Sequence, residues 1–187
     1  MDDAMNAKIL IAAVALVSSN AVFAATKPGD VYAGASYSTM TAKESPLSLD
    51  FGVLNGFAGY QVNDFLAVEG RIGVGIADES LDVFEGSAVD VGVDYTAQAL
   101  VKGSYHFTDV VSAYGIAGVA KNKYSFSQGS QSDSSSDTGL TYGIGLQFAI
   151  SGNSALNLEY QKLPDMDMDD DVGINVSALT VGYTYRF

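Results

Sequence analysis

The sequence predicts an all-β chain folded as an eight-stranded antiparallel up-and-down β-barrel. Three observations carry that expectation. Segments in which large apolar residues alternate with small or polar ones recur from residue 30 to the end, the period of two that marks strands. The connections between segments alternate between two-residue turns and long polar stretches. The last residues, Leu179-Thr180-Val181-Gly182-Tyr183-Thr184-Tyr185-Arg186-Phe187, keep the alternation up to the terminal carboxylate.

In chain order, the first element is a secretory leader. Lys8 supplies a positive start, Ile9 to Val17 an unbroken apolar run, and Val22-Phe23-Ala24 a small-residue cleavage site. Asp2 and Asp3 fit a positive leader poorly, so Met5 is the expected initiator. The expected division is residues 1–24 as signal peptide and 25–187 as barrel. The apolar run is far shorter than the roughly 20 residues a spanning helix needs. No other stretch could cross a membrane as a helix, so membrane residence would require a closed barrel, which satisfies every backbone group internally. The chain has no Cys, which excludes disulfides, a lipidated cysteine and thiolate metal sites.

Eight alternating segments follow, near 30–41, 49–62, 65–77, 91–107, 110–126, 138–151, 154–164 and 172–187. The third sets Leu66, Val68, Ile72, Val74 and Ile76 against Ala67, Glu69, Arg71, Gly73 and Gly75. The fourth places Val93, Tyr95, Ala97, Ala99, Val101, Tyr105 and Phe107 on one face, opposite Asp94, Thr96, Gln98, Lys102, Ser104 and His106. The sixth sets Leu140, Tyr142, Ile144, Leu146, Phe148 and Ile150 against Thr141, Gly143, Gly145, Gln147, Ala149 and Ser151. A soluble sandwich would share this alternation, so the connections decide. Asn63-Asp64, Thr108-Asp109 and Gly152-Asn153 are tight-turn pairs. Between them lie polar stretches near Thr41–Ser48, Asp78–Asp90 and Ser127–Asp137, then a fourth carrying Asp165, Asp167, Asp169, Asp170 and Asp171. Strict alternation of short and long connections describes a meander with one tight end and one loop end, and an even strand number returns both termini to the tight end.

Val31-Tyr32-Ala33-Gly34-Ala35, Gly59-Tyr60-Gln61-Val62-Asn63-Asp64, Ala67-Val68-Glu69-Gly70-Arg71 and Val181-Gly182-Tyr183-Thr184-Tyr185-Arg186-Phe187 occur in that order. With them the chain resembles the small outer-membrane β-barrels: the OmpA-type transmembrane domain and its OmpX/Ail-like relatives. The resemblance implies the bacterial outer membrane, with periplasmic termini and extracellular long loops. It implies contact with outer-membrane lipid and lipopolysaccharide, and reading of Tyr183, Tyr185 and Phe187 as a C-terminal signal by the barrel-assembly machinery. It specifies activity poorly, since this scaffold serves structural proteins, adhesins, serum-resistance factors and enzymes.

An eight-stranded barrel is only wide enough for its own side chains to fill the lumen. Glu69, Arg71, Lys102 and Glu159 fall on inward positions at similar depth. Unpaired charges away from water are costly, so these four are expected to pair as an interior polar network, completed by Gln98, Gln147, Asn157 and Gln161. The inward pairs Gly73/Gly75 and Gly143/Gly145 make room for the long side chains. Enzymes on this scaffold modify lipid A with a His, a Ser and a carboxylate toward the outer leaflet. Here the single His106 lies at the tight-turn end beside Ser104, with no acid placed to orient it, so no catalytic site is expected.

Twenty-two acids against nine Lys and Arg, a formal charge of −13, argue against a nucleic-acid partner. The Asp-x-Asp-x-Asp run from Asp165 lacks the Gly and Glu of a calcium loop, having Asp170 and Val176 in their places, so no metal or cofactor site is assigned. The expected function is a non-enzymatic barrel that supports envelope integrity and presents acidic loops to an extracellular ligand or host surface. A narrow porin-like channel or small-solute carrier is the alternative, and a lipid-modifying enzyme the third.

Overall fold

The computed structural model describes residues 27–44, 47–77, 79–84, 87–128, 131–168 and 172–187; the expected leader, residues 1–24, lies outside them. The strands are β1 (Val31–Glu44), β2 (Leu47–Gln61), β3 (Leu66–Ala77), β4 (Glu79–Phe84), β5 (Ser87–His106), β6 (Val111–Gln128), β7 (Gln131–Ser151), β8 (Ser154–Lys162), β9 (Met166–Met168) and β10 (Val172–Arg186). Pairing runs β1-β2-β3-β5-β6-β7-β8-β10, and β10 returns to β1. Every pair is antiparallel, so eight strands close a wall with no free edge. The short β4 and β9 pair only with β5 and β10, beyond the barrel at the loop end.

The tight turns are built by their own side chains. Asn63 Oδ1 accepts hydrogen bonds from the Phe65 and Leu66 amides at 3.0 and 2.8 Å. Thr108 Oγ1 accepts from Val110 and Val111 at 3.2 and 3.0 Å. Both are local alternatives to the sheet ladder that stop one strand and start the next. The third turn is tied to the chain end: Asn153 Nδ2 donates to the Arg186 carbonyl at 2.9 Å, and the Phe187 amide donates to the Val31 carbonyl at 3.0 Å. Residues 27–31 and Phe187 therefore lie at the turn end.

The wall is apolar outside and mixed inside. Ile72, Leu140, Ile144 and Phe187 are each more than 70% exposed, while Glu69, Lys102, Asn157 and Glu159 are buried. Such inversion would be untenable for a barrel in water, where large contiguous apolar surface is not left bare. Around the turn end the outward aromatics include Tyr60, Phe65, Tyr105, Phe107, Tyr183, Tyr185 and Phe187. Tyr105 packs edge-on against Phe107 and Tyr185 against Phe187, each with centroids 5.2 Å apart.

Two expectations are corrected. Val93 does not share the outward face of Tyr95. The β5–β6 register shifts between them, and the extra residue Asp94 turns Val93 inward, where it is 4% exposed. The long connections are also shorter than expected, because the ladders continue into them. β1 and β2 pair as far as Glu44 opposite Leu47, β4 turns the second stretch into a hairpin with β5, and β6 and β7 pair as far as Gln128 opposite Gln131. An alternation rule misses such extensions: neighbouring hydrogen bonds, and not an apolar face, continue them.

Candidate functional site

The functional candidates lie inside the wall, where two unlike regions are stacked. In the half nearer the turns, β3 projects Glu69 and Arg71, β8 projects Glu159 and β5 projects Lys102. Arg71 spans both acids: its Nε donates to Glu69 Oε1 at 2.6 Å, Nη1 to Glu159 Oε1 at 2.5 Å, and Nη2 to Glu159 Oε2 at 2.9 Å. The two-pronged contact with Glu159 is the geometry a guanidinium is shaped for. Tyr32 OH completes the shell by donating to Glu69 Oε2 at 2.7 Å.

Lys102 stands apart. Among the described residues it makes neither an ion pair nor a side-chain hydrogen bond. Its ammonium lies over the Tyr114 ring, 4.1 Å from the centroid, with the Tyr32 ring at 5.6 Å. Arg71 likewise sits 5.9 Å from the Phe57 ring centroid. Two acids thus converge on one arginine, while the lysine rests on aromatic faces. Glycines admit those rings. A Cβ on Gly145 would come within 2.3 Å of Tyr114 Cζ, and one on Gly59 within 2.2 Å of Tyr32 Cζ. Of the four amides expected around the network, Gln161 donates to Gln98 and Thr141 at 2.9 and 2.6 Å, and Asn157 donates to Thr184 at 2.6 Å. Gln147 instead lines a small cavity at the turn end with Lys102, His106 and Arg186.

Toward the loop end the lumen becomes apolar. Met40 and Ala42 of β1, Phe51 and Val53 of β2, Val93 of β5, Ala120 and Tyr124 of β6, Leu163 after β8, and Val176 and Ala178 of β10 form one buried cluster. Sequence reasoning missed it. The clue was present: Phe51 and Val53 share the parity of Asn55, and Met40 that of Ser36 and Ser38, so the inward face changes from polar to greasy along a single strand. Within the cluster, Asn122 is fully buried, with neither side-chain atom hydrogen-bonded, and the Tyr124 hydroxyl is also without a partner.

Other candidates are placed as follows. His106 is exposed at the turn end, close to Ser104 and Gln147, and among the described residues no acid shares that cavity lining. Tyr183, Tyr185 and Phe187 point outward on the same rim, and Tyr183 OH lies 2.7 Å from Ser154 Oγ. Asp165 pairs with Lys162, whereas Asp169, Asp170 and Asp171 lie outside the described residues. Among the described residues, no three His, Cys, Asp or Glu side chains come together as a metal site. Larger surface depressions lie on the outer wall over Gly56, Gly70, Gly103 and Gly115.

A family model for the outer membrane protein beta-barrel domain matches residues 9–187. No curated protein matches the chain. Among solved structures, the attachment invasion locus protein Ail of Yersinia pestis is 25% identical, with a TM-score of 0.62 over 87% of this chain and 100% of that one. Ail has also been solved in complex with the heparin analogue sucrose octasulfate. Neisserial surface protein A is 19% identical, with a TM-score of 0.65 over 84% of this chain and 97% of that one. OprG of Pseudomonas aeruginosa is 14% identical, with a TM-score of 0.58 over 86% and 97%; these two likenesses concern the fold.

Proposed function

Because the chain belongs to the outer membrane protein β-barrel family, we propose that it is a closed, non-enzymatic barrel that stabilises the outer membrane and presents its acidic loop end to the exterior. The turn end faces the periplasm, residues 1–24 are removed on export, and the apolar wall meets lipid and lipopolysaccharide. Tyr183, Tyr185 and Phe187 are read by the assembly machinery. The single observation that carries the closed reading is the filled lumen: a bridged Glu69–Arg71–Glu159 layer below and a buried apolar cluster above. A non-enzymatic role is supported by the surroundings of His106, where the described residues supply no acid–base–nucleophile arrangement.

The loop end is expected to prefer basic partners over polyanions. The stretches Asp78–Asp90 and Asp165–Asp171 concentrate carboxylates, and like charge repels a sulfated chain at close range. In this respect the chain differs from what the Ail complex with a sulfated ligand would lead one to expect. Purified barrel in a planar bilayer should show at most rare, small conductance events, and should not be retained on heparin at physiological salt. Large steady channels would overturn the closed reading in favour of the porin alternative. Tight heparin binding would overturn the surface reading alone.

A further inference from the structure

At the turn end the lumen holds a cavity of about 20 Å³ whose lining is unlike the rest of this acidic chain. Lys102, Arg186 and the only His, His106, all line it, together with Gln61, Gln147 and Asn153, and among the described residues no Asp or Glu does. Glu69 and Glu159 hold Arg71 one layer further in, and Asp30 pairs with Arg186 itself at the rim, its Oδ2 3.9 Å from Nε.

Lys102 is the decisive group. It is 6% exposed, and among the described residues no acceptor hydrogen-bonds its ammonium, which lies over the Tyr114 and Tyr32 ring faces. An ammonium has three donors and no acceptor, and burying one without an acceptor is expensive. The same side chain also lines a second cavity of about 20 Å³ with Glu69, Arg71 and Glu159, so it stands between two small internal spaces, with the acids on the inner one. Space of this size admits a water molecule or a monatomic ion, but not a tetrahedral oxyanion.

We propose that this turn-end vestibule is a binding site for a monatomic inorganic anion of chloride size, shared between the Lys102 ammonium and the Arg186 guanidinium. His106 stands at its mouth and the Gln147 amide supplies a further donor. A low-dielectric wall with cations on its lining and no carboxylate focuses positive potential. The anion supplies the acceptor that Lys102 lacks. The site lies at the end opposite the acidic loops, so it stands or falls independently of the surface reading above.

The test uses the refolded barrel in phospholipid nanodiscs, with bromide titrated in place of gluconate at constant ionic strength. Gluconate is too large to enter. Backbone amide shifts at Ser104, His106 and Thr184 should move and saturate, while those at the loop end stay still. Arg186→Gln should weaken the apparent affinity roughly tenfold, the loss expected for one charge-assisted hydrogen bond. Lys121→Gln, an equal change of charge at an exposed position on the loop side of β6, should leave the affinity unchanged. Bromide diffracted at its absorption edge in crystals should give an anomalous peak beside Lys102 Nζ. This second measurement decides the matter should Arg186→Gln fail to assemble. A response that does not saturate, that persists unchanged in Arg186→Gln, or that comes with no peak beside Lys102 would overturn the proposal.

Discussion

The two halves of the lumen close the same tube by opposite means. In the turn half, closure depends on identity. Arg71 reaches two carboxylates from one β3 position, and each prong has a specific oxygen to meet. In the loop half, closure depends on volume. Met40, Phe51, Val53, Tyr124, Leu163 and Val176 fill the space with side chains 2% exposed or less, and among the described residues no side-chain hydrogen bond selects among them. Buried ions give register and uniqueness at a desolvation cost, whereas apolar packing tolerates exchange of shape for shape. The division also follows chain economy. In the half near the turns the strands begin and end, and their register needs fixing. Above it the ladders run on past the barrel, where β4 and β9 pair with β5 and β10.

The strongest test of this division is Arg71→Ala. Removing the guanidinium leaves Glu69 and Glu159 facing each other without their bridge, with only the Lys102 ammonium nearby, and the barrel should lose about 3–5 kcal/mol toward guanidinium unfolding, read by gel migration of folded and unfolded forms. Arg71→Lys should restore only part of this, since one ammonium cannot fork across two acids. The triple change Glu69→Gln, Arg71→Met, Glu159→Gln should restore most of it. An Arg71→Ala barrel as stable as its parent would mean that water stands in for the guanidinium and that the turn half is no ion-pair layer at all.

Phe51→Ala probes the other half. It should cost about 3 kcal/mol through the cavity left behind, and Phe51→Leu well under half as much, because only volume is at stake. Neither variant should conduct in a planar bilayer, since the Arg71 layer beneath remains shut. Steady channels in Phe51→Ala alone would place the whole barrier in the apolar half.

How much of this was readable in advance follows the same division. The outward alternation in β3 and β7 was legible, because one residue type on one face is what a period of two reports. The inward acids and bases were legible as residues to be placed, since a charge within an apolar-patterned segment has to point inward. Their partners were not. That Arg71 takes both Glu69 and Glu159 while Lys102 rests on Tyr114 depends on strand tilt and on Gly145 giving way to a ring, which no spacing along one strand encodes. Val93 escaped because a single inserted residue, Asp94, reverses the face of everything beyond it. Phe51 and Met40 escaped because a greasy residue on a greasy-patterned strand looks outward by type, and only its parity with Asn55 or with Ser36 and Ser38 places it inward.

Asn122 is a polar exception within the apolar half, and the effect expected there is the smallest and of opposite sign. It projects from β6 with Thr96 and Asp137 opposite it on the neighbouring strands, and is fully buried with neither amide atom hydrogen-bonded. A buried polar group without a partner forfeits its hydration and gains nothing in return, so replacing it with an apolar residue of similar size should help. Asn122→Leu should therefore stabilise the barrel by about 1 kcal/mol. Tyr124→Phe, which removes a neighbouring hydroxyl that also lacks a partner, should be close to neutral. The sign is what sharpens the comparison. If the loop half is closed by volume alone, a better-filled apolar side chain raises the unfolding midpoint. If Asn122→Leu lowers it instead, an internal water bonded to Asn122 and Tyr124 holds that layer together, and both halves of the lumen are closed by polar contacts after all.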